Sequence, residues 1–541
     1  MNQPYRPPEL SPDERYLLEP FITNLAGPVY VLHQLPPEVA GALASRASRA
    51  RGDLREVLVR EFLSPFTEED GGALRGWVDA LHRYPVEQVF ANPKARSFYT
   101  RWLAEYGDDS IAQMAGVHVC FAALSQIAIK HLERMRVGLA PIEQSTRYVD
   151  FGTRVGGRYR YVTDPSLETW GLLEPYRAAM DGAFSYYAAA VREYTEDLTR
   201  EHPDESATTL KTKAFDVFRE VLPMATVGQV AFFGSGQALE YMLARSLDHR
   251  LAEVREAAAS ARTELEKVIP SLLSRLKSEP AEQYRRYLTG HGGAVEAALA
   301  GSALVSAPPV PHRLGVRLVD HDPEGEEKVI AALAYPVLDL PLEDVRARVR
   351  EMSDTEKREL VAAVLDRRTA RWYKVPRALE QAQLTFEITL TLGSWRDIQR
   401  HRMHTQYRAR LSPGADYWVP EEIRGTRWEP GFRVAVEEMQ AVGERVADQD
   451  PEVAEYCCSF SHLMRFVQHQ NLRAAFWEIE LRTGSQGHAI YRRIELDKAD
   501  LVREVYPILG AYLLDDRSEY RFPRRGQEQR AAAKHARLSG G

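Results

Sequence analysis

Four short stretches of the chain gather side chains able to hold an anion or move a proton. In the first, Glu143-Gln-Ser-Thr-Arg147-Tyr148, the residues Glu143, Ser145 and Arg147 alternate. Alternate side chains of an extended segment share a face. A serine hydroxyl beside a guanidinium suits a phosphate monoester, because arginine offers a two-pronged fork. The other reading of the same residues is an Arg–Glu pair that staples a loop. In the second stretch, Arg245, His249 and Glu253 stand at i, i+4 and i+8. On one continuous helix they would line a single face, either toward a ligand or as a solvated row of ion pairs. The third, Gln399-Arg-His-Arg-Met-His404, ends an apolar segment with Arg400, His401 and Arg402. It suits a diphosphate, and equally a helix C-terminus whose dipole the charges answer. The fourth, Glu478 to His488, sets Gly484 and Gly487 between Arg482 and His488. Glycine lets a backbone approach a ligand, and it also ends helices.

Other chemistries find no support. Cys120, Cys457 and Cys458 lie among apolar residues, where a thiol is inert packing. With no CxxC pair, no thiolate metal site is assigned. No GxGxxG or Walker loop is present, which argues against a Rossmann-type nucleotide site.

The elements that must position these groups read mostly as helix. Apolar residues recur at Ile111, Met114, Ala115, Val119, Ala122 and Ile127. This spacing predicts a helix from Ser110 to Met135, with Asp108 or Asp109 as its N-cap. Residues 378–398 read similarly, although Leu384 to Leu390 is also compatible with a strand. Gly315 to Val319 reads as a strand leading into a helix over about residues 324–335. Long helices with a few strands give a helix-rich α+β class.

The chain has 541 residues, too many for one hydrophobic core. Its composition, 44% hydrophobic and 27% charged, is that of a globular protein. Seventy basic against 77 acidic residues give a net charge of −7, which disfavours bulk binding to nucleic acid. The arginine-rich stretch from Arg396 to Arg410 and the basic tail are the features that would oppose this. Three cysteines make no disulfide framework, so a reducing, cytoplasmic setting is expected. The N-terminus carries no apolar signal, and no apolar run reaches about 18 residues, so no secretion signal or membrane span is expected. A Pro- and Ala-rich segment, 300–313, reads as a linker between a first domain at 15–299 and a second at 314–522. Residues 523–541 read as a flexible basic tail. Each half runs from an apolar segment into a basic cluster, then a polar loop, then a helix with an arginine and a later histidine. That order is the mark of a tandem duplication.

Together these stretches resemble the flavin-dependent thymidylate synthases, whose signature is R-H-R-x-x-S-x-N-E-x-S-x-R-Y. The first half keeps the back end as Glu143, Ser145, Arg147 and Tyr148. Its front end is Arg134-Met-Arg136, aligned with a one-residue offset. The second half keeps the front end as Arg400, His401 and Arg402, with Thr405 in place of serine. It has Arg408, Arg410 and Ser412 where the glutamate, serine and arginine belong. Val329-Ile-Ala-Ala is similar to the family's opening helix, and Arg219-Glu-Val-Leu-Pro223 to the segment before its late helix. Glu380 with Thr385-Phe386 is similar to a further family stretch. Arg245 with His249, and Arg482 with Gly487-His488, match the region of the family's ring-polarising arginine.

The resemblance implies two tandem domains of this family and a reaction that methylates dUMP to dTMP. Methylenetetrahydrofolate would give the carbon, and FAD would carry hydride from NADPH. It implies Arg245 as the catalytic arginine, and Glu143, Ser145, Arg147, Tyr148 and Arg482 as dUMP ligands. It assigns Arg134, Arg136, Arg400, His401, Arg402, His249 and His488 to FAD. No metal is implied, and the partners are small molecules, not nucleic acid or membrane. The split signature suggests halves specialised for dUMP and for flavin, in a homodimer acting as a pseudo-tetramer. The alternative is a flavin- or nucleotide-binding homologue without turnover.

Overall fold

Two four-stranded antiparallel sheets, one in each half, form the frame of a computed structural model that describes residues 4–50, 52–64, 72–84, 93–99, 101, 103, 109–135, 137–304, 310–522 and 525–526. Arg136, Asp108, residues 305–309 of the expected linker and nearly all of the expected tail lie outside the described residues. The first sheet has the order β1-β2-β4-β3, from β1 (Val29–Leu32), β2 (Gly116–Ser125), β3 (Leu139–Glu143) and β4 (Val227–Ser235). The second repeats it as β5-β6-β8-β7, from β5 (Gly315–His321), β6 (Gln383–Thr391), β7 (Thr405–Arg408) and β8 (Leu463–Asn471). With many helices around two separate sheets, the class is α+β, as the sequence indicates.

The single helix expected over residues 110–135 is instead a 3₁₀ turn (Asp109–Gln113), strand β2 and a short helix α1 (Gln126–Glu133). Residues 378–398 divide in the same way, into β6 followed by helix α2 (Leu392–Ile398). Both strands are central in their sheets and largely buried. β2 reads as an apolar run that also matches helical spacing, whereas β6 (Gln-Leu-Thr-Phe-Glu-Ile-Thr-Leu-Thr) keeps the alternation that made its strand reading open. The switch from strand to helix is written in the caps. Ser125 Oγ accepts from the Ala128 N–H, and Thr391 Oγ1 from Ser394. Ser235 and Asn471 cap the helices after β4 and β8 in the same manner, α3 (Gly236–Ser246) and α4 (Leu472–Arg482). A side-chain acceptor at each cap satisfies an amide that the first turn would otherwise leave unpaired.

The two halves meet through paired, symmetric backbone contacts. Pro223 bridges Ser459. Met224 N–H donates to Cys458 O at 2.7 Å, and Phe460 N–H returns the bond to Leu222 O at 2.8 Å. Ala225 with Tyr456, and Ser461 with Glu220, repeat the exchange one step outward. A 29-residue helix, Leu173–Glu201, packs on Glu429–Ala447 of the other half. Tyr186 donates to Trp428 O at 2.8 Å there, and its ring lies so close to Gly431 that a Cβ would sit 2.7 Å away. One continuous apolar cluster runs from Val29 to Leu513 through both halves. All three cysteines lie buried and unpaired, and burial pushes the Cys120 and Cys457 thiols up to about 12.

Candidate active site

At the end of β3 the chain does not stay extended. It turns, with the Tyr148 and Val149 N–H groups both reaching Ser145 O, at 3.2 and 3.1 Å. Glu143, Ser145, Arg147 and Tyr148 nevertheless border one cavity of about 200 Å³, because the turn folds back against α2 and the end of α4. The cavity therefore lies between the two halves. Arg147, Arg219, Arg396, Arg400 and Arg482 all line it, against the carboxylates of Glu143 and Asp397. That surplus of positive charge is the electrostatics of a site for a multiply charged anion.

Glu143 is the anchor of the cluster. Its carboxylate meets Lys130 at 2.9 Å, Arg396 at 3.3 Å, and Arg400. Burial alone would raise its pKa, but these three cations hold it well below the ordinary carboxylate range. Asp397 is likewise held low, its burial outweighed by Arg400 and Arg482. The Arg147 fork is engaged: Nε and Nη2 reach the two Asp216 oxygens at 2.5 and 2.6 Å, and Nη1 reaches Gln486 O at 3.0 Å. Ser145 Oγ accepts the Arg147 N–H at 3.2 Å. Arg400 is the accessible cation, with 42% of its side chain exposed.

Arg400, Leu481 and Arg482 also border a larger cleft of about 750 Å³. His401 and Arg402 line it, together with Arg473, Lys374 and Trp477. The Lys374 ammonium stands 3.0 Å from the centre of the Trp477 ring. Arg482 Nε donates to His401 Nε2 at 2.8 Å and Nη2 donates to Asp397 O, so the imidazole accepts and is neutral. Burial, reinforced by Arg482 and His404 against the opposing charge of Glu478, pushes the His401 pKa down to about 3.

The remaining expected residues are elsewhere. Arg245, His249 and Glu253 do not share a helix, because α3 stops at Ser246 and the next helix, Ala252–Val268, starts after a turn. Arg245 donates to Tyr241 Oη at 3.1 Å. The His249 ring stands 4.3 Å from that of His131. Burial, with Arg255 and Arg134 adding like charge, pushes the His249 pKa down to about 4. Glu253 is buried and accepts from Ser125 and Tyr456. Arg134, Arg245 and His249 gather near Arg408, at the counterpart of the junction just described, and border neither cavity. There β7 ends in Arg408, paired with Glu455 at 3.3 Å, where β3 ends in Glu143. The two junctions thus carry opposite charge at matching positions, and the cationic cavity belongs to the first. His488 is buried behind the Arg147–Asp216 pair, its Nε2 3.3 Å from Asp216 O, and borders neither cavity.

Arg396, Arg219, Asp216 and Asp397 were not singled out as site residues from the sequence. Arg396 and Arg400 stand at i and i+4, a spacing that could have marked them as one row. The stretch from Arg396 onward, a candidate for nucleic-acid contact, turns inward at its start, where Arg396 is 4% exposed.

A UPF0159 protein of Chlamydia muridarum is 34% identical to this chain over 535 residues, covering 97% of this chain and 99% of that protein. A UPF0159 protein of Thermoplasma acidophilum is 26% identical over 539 residues, covering 91% and 98%. The crystal structure of a UMP/dUMP methylase, PolB from Streptomyces cacaoi bound with 5-Br dUMP, aligns with a TM-score of 0.30 and 16% identity over 37% of this chain and 94% of its own. The pattern of the thymidylate synthase complementing protein family matches twice, at residues 76–271 and 317–508. Two successive matches over most of the chain, on two sheets of one topology, make this protein a tandem member of the thymidylate synthase complementing protein family.

Proposed function

We propose that this protein is a flavin-dependent thymidylate synthase that methylates dUMP to dTMP, with methylenetetrahydrofolate as carbon donor and NADPH as reductant through FAD. The observation that carries the reading is the reunion of the divided signature. Glu143, Ser145 and Arg147 from one copy, and Arg400 from the other, border one cationic cavity. The dUMP phosphate enters it, with Ser145 Oγ as a hydrogen-bonding partner and Arg400 as the open cation. Arg147, braced by Asp216, contributes charge from the wall. Arg482, held by His401 and by Asp397 O, takes the role that the resemblance gives to Arg245. It faces the uracil ring and stabilises negative charge developing on its carbonyls.

The adjoining cleft suits FAD. Its size lies within the range of cofactor sites. Arg400, Arg402 and Arg473 would hold the diphosphate, and Trp477 and Phe476 offer apolar surface to a ring system. FAD, when bound, supplies the hydride chemistry. The protein supplies position, charge and exclusion of water, and no cysteine nucleophile is needed. A pair of 61.3 kDa chains would hold four family domains, the pseudo-tetramer suggested by the duplication.

The test is the visible spectrum of the purified protein, then anaerobic flavin reduction and turnover with dUMP and methylenetetrahydrofolate. Bound flavin with dTMP formed supports the enzyme. Bound flavin without dTMP selects the non-catalytic flavin- or nucleotide-binding reading. Absence of flavin at saturating FAD refutes the enzyme and the flavin-binding reading, and absence of dUMP binding as well refutes the nucleotide-binding one.

A further inference from the structure

The second junction, where Arg134, Arg245 and His249 lie, has a charge pattern of its own. Its centre is the turn between α3 and the helix Ala252–Val268, which is fixed to both halves. His131 Nε2 stands 3.1 Å from Ser246 Oγ, and the His131 and His249 rings are 4.3 Å apart. Arg250 reaches Glu452 at 3.0 Å, and Tyr456 donates to Glu253 at 2.7 Å, so the turn rests on residues 452–456 of the other half. Glu455, in that same stretch, holds Arg408 at 3.3 Å. Arg134 stands nine residues after the Ser125 cap, as Arg400 stands nine after Thr391, so Arg134 holds here the position that Arg400 holds at the first junction.

Arg134, Arg245, Arg250, Arg255 and Arg408 therefore collect around one turn. Arg250 and Arg408 are neutralised by Glu452 and Glu455. The neighbouring Asp248 and Arg410 are paired outward, with Arg285 and Glu296 of the helix Glu279–Leu299. Arg245 donates to Tyr241 Oη, and Arg255 to the carbonyls of His249 and Arg250 at 2.6 and 2.5 Å. Among the described residues, Arg134, Arg245 and Arg255 have no carboxylate partner. The histidines do not alter this balance. His249 Nδ1 accepts the Leu251 N–H at 3.1 Å, and burial with the surrounding arginines keeps both rings neutral. Three guanidiniums are thus left uncompensated. Arg134 and Arg255 are exposed and Arg245 is half-buried, so the cluster opens to solvent.

We propose that this cluster is a second anion site, for a diphosphate or triphosphate group that is either free or carried by a nucleotide. Like charges held this close repel one another, and an anion bound between them removes the repulsion. Guanidinium forks suit phosphate oxygens, because each can donate two parallel hydrogen bonds. The number of uncompensated charges selects the ligand. A phosphate monoester carries at most about two negative charges and leaves one guanidinium unanswered. A diphosphate or longer chain answers all three. The site shares no arginine with the cavity at the first junction, so this inference stands independently of the proposed reaction.

The experiment titrates the full-length protein with inorganic pyrophosphate, ADP and AMP, read by calorimetry at low ionic strength. Saturable binding of pyrophosphate and ADP is expected, with AMP about tenfold weaker or worse. Arg134→Ala and Arg245→Ala should each weaken pyrophosphate binding about tenfold, the effect of one charge-assisted hydrogen bond. Arg348→Ala, which removes an exposed arginine from the helix Leu342–Glu351, controls for lost charge and should leave the affinity unchanged. Neither Arg134 nor Arg245 holds a carboxylate, so both variants should unfold at the wild-type midpoint without ligand. Both should lose most of the rise in midpoint that pyrophosphate gives the wild type. ADP tighter than pyrophosphate identifies a nucleotide as the ligand, and equal affinity identifies the free anion. Absence of saturable binding overturns the proposal. So does AMP binding as tightly as pyrophosphate, or binding that survives both Arg134→Ala and Arg245→Ala. Binding lost in Arg400→Ala but kept in those two variants also overturns it, by placing the anion at the first junction.

Discussion

Replacing Glu220 with glutamine should change how stability depends on pH. Glu220 lies in the turn Arg219–Val221, fully buried where the halves join, and its carboxylate is so close to Gly393 that a Cβ there would sit 2.5 Å from Oε1. Burial is the largest influence and raises its pKa from 4.5 to about 7, against the opposing pull of Arg219, Thr391 and Arg396. The folded state therefore holds this proton more tightly than the unfolded chain does. Stability from this group is complete below about pH 4.5 and is lost as pH rises toward 7. At about 1.4 kcal/mol for each tenfold change in proton affinity, the loss is about 3 kcal/mol. Glutamine has the same shape and no charge to bury. Glu220→Gln should thus gain about 3 kcal/mol on the wild type between about pH 4.5 and pH 8. The assay is chemical unfolding of both proteins across that range, comparing the difference between their midpoints at each pH. The comparison cancels every other titrating group. Parallel curves would refute the reasoning, because they would mean that the Glu220 carboxylate is as comfortable ionised inside the protein as in water.

Arg147→Ala leaves Asp216 buried without its counter-charge and should cost about 3–5 kcal/mol of stability, seen as a lower unfolding midpoint. Arg147→Met with Asp216→Leu should recover most of it, because no charge is then left buried. Lys498→Met strands Glu478 and Glu495, both fully buried beside the ammonium, and should also cost about 3–5 kcal/mol by the same measurement. Arg400→Ala should weaken both dUMP and FAD binding in equilibrium titrations, since the residue borders both cavities, whereas Arg134→Ala should change neither. Survival of both affinities in Arg400→Ala would separate the two functions from this side chain. Gly487→Ala sets a Cβ 2.7 Å from Arg482 O and 2.5 Å from Arg492 Cγ, so it should shift Arg482 and raise the KM for dUMP; an unchanged KM would show that the loop adapts.

The sequence by itself determined the class and the duplication, and it named part of the groups that line the cationic cavity, without Arg219, Arg396 and Asp397. Glu143, Ser145, Arg147, Arg400, His401, Arg402 and Arg482 were recognisable because arginine-rich anion chemistry is written in residue types and local spacing. Strand and helix were confused over residues 110–135 because a strand buried on both faces lacks the alternation that identifies a half-exposed one. The N-caps Ser125 and Thr391 were the local signal of the break. Which copy's front end faces which copy's back end was not local information. It depends on how the backbones of Leu222–Ala225 and Tyr456–Ser461 exchange hydrogen bonds across the junction. That exchange brings Arg400 to Glu143 and leaves Arg245, His249 and Arg134 at the other junction, beside Arg408. Tertiary structure alone decided this, because residues more than two hundred positions apart meet only when both sheets pack on one shared core.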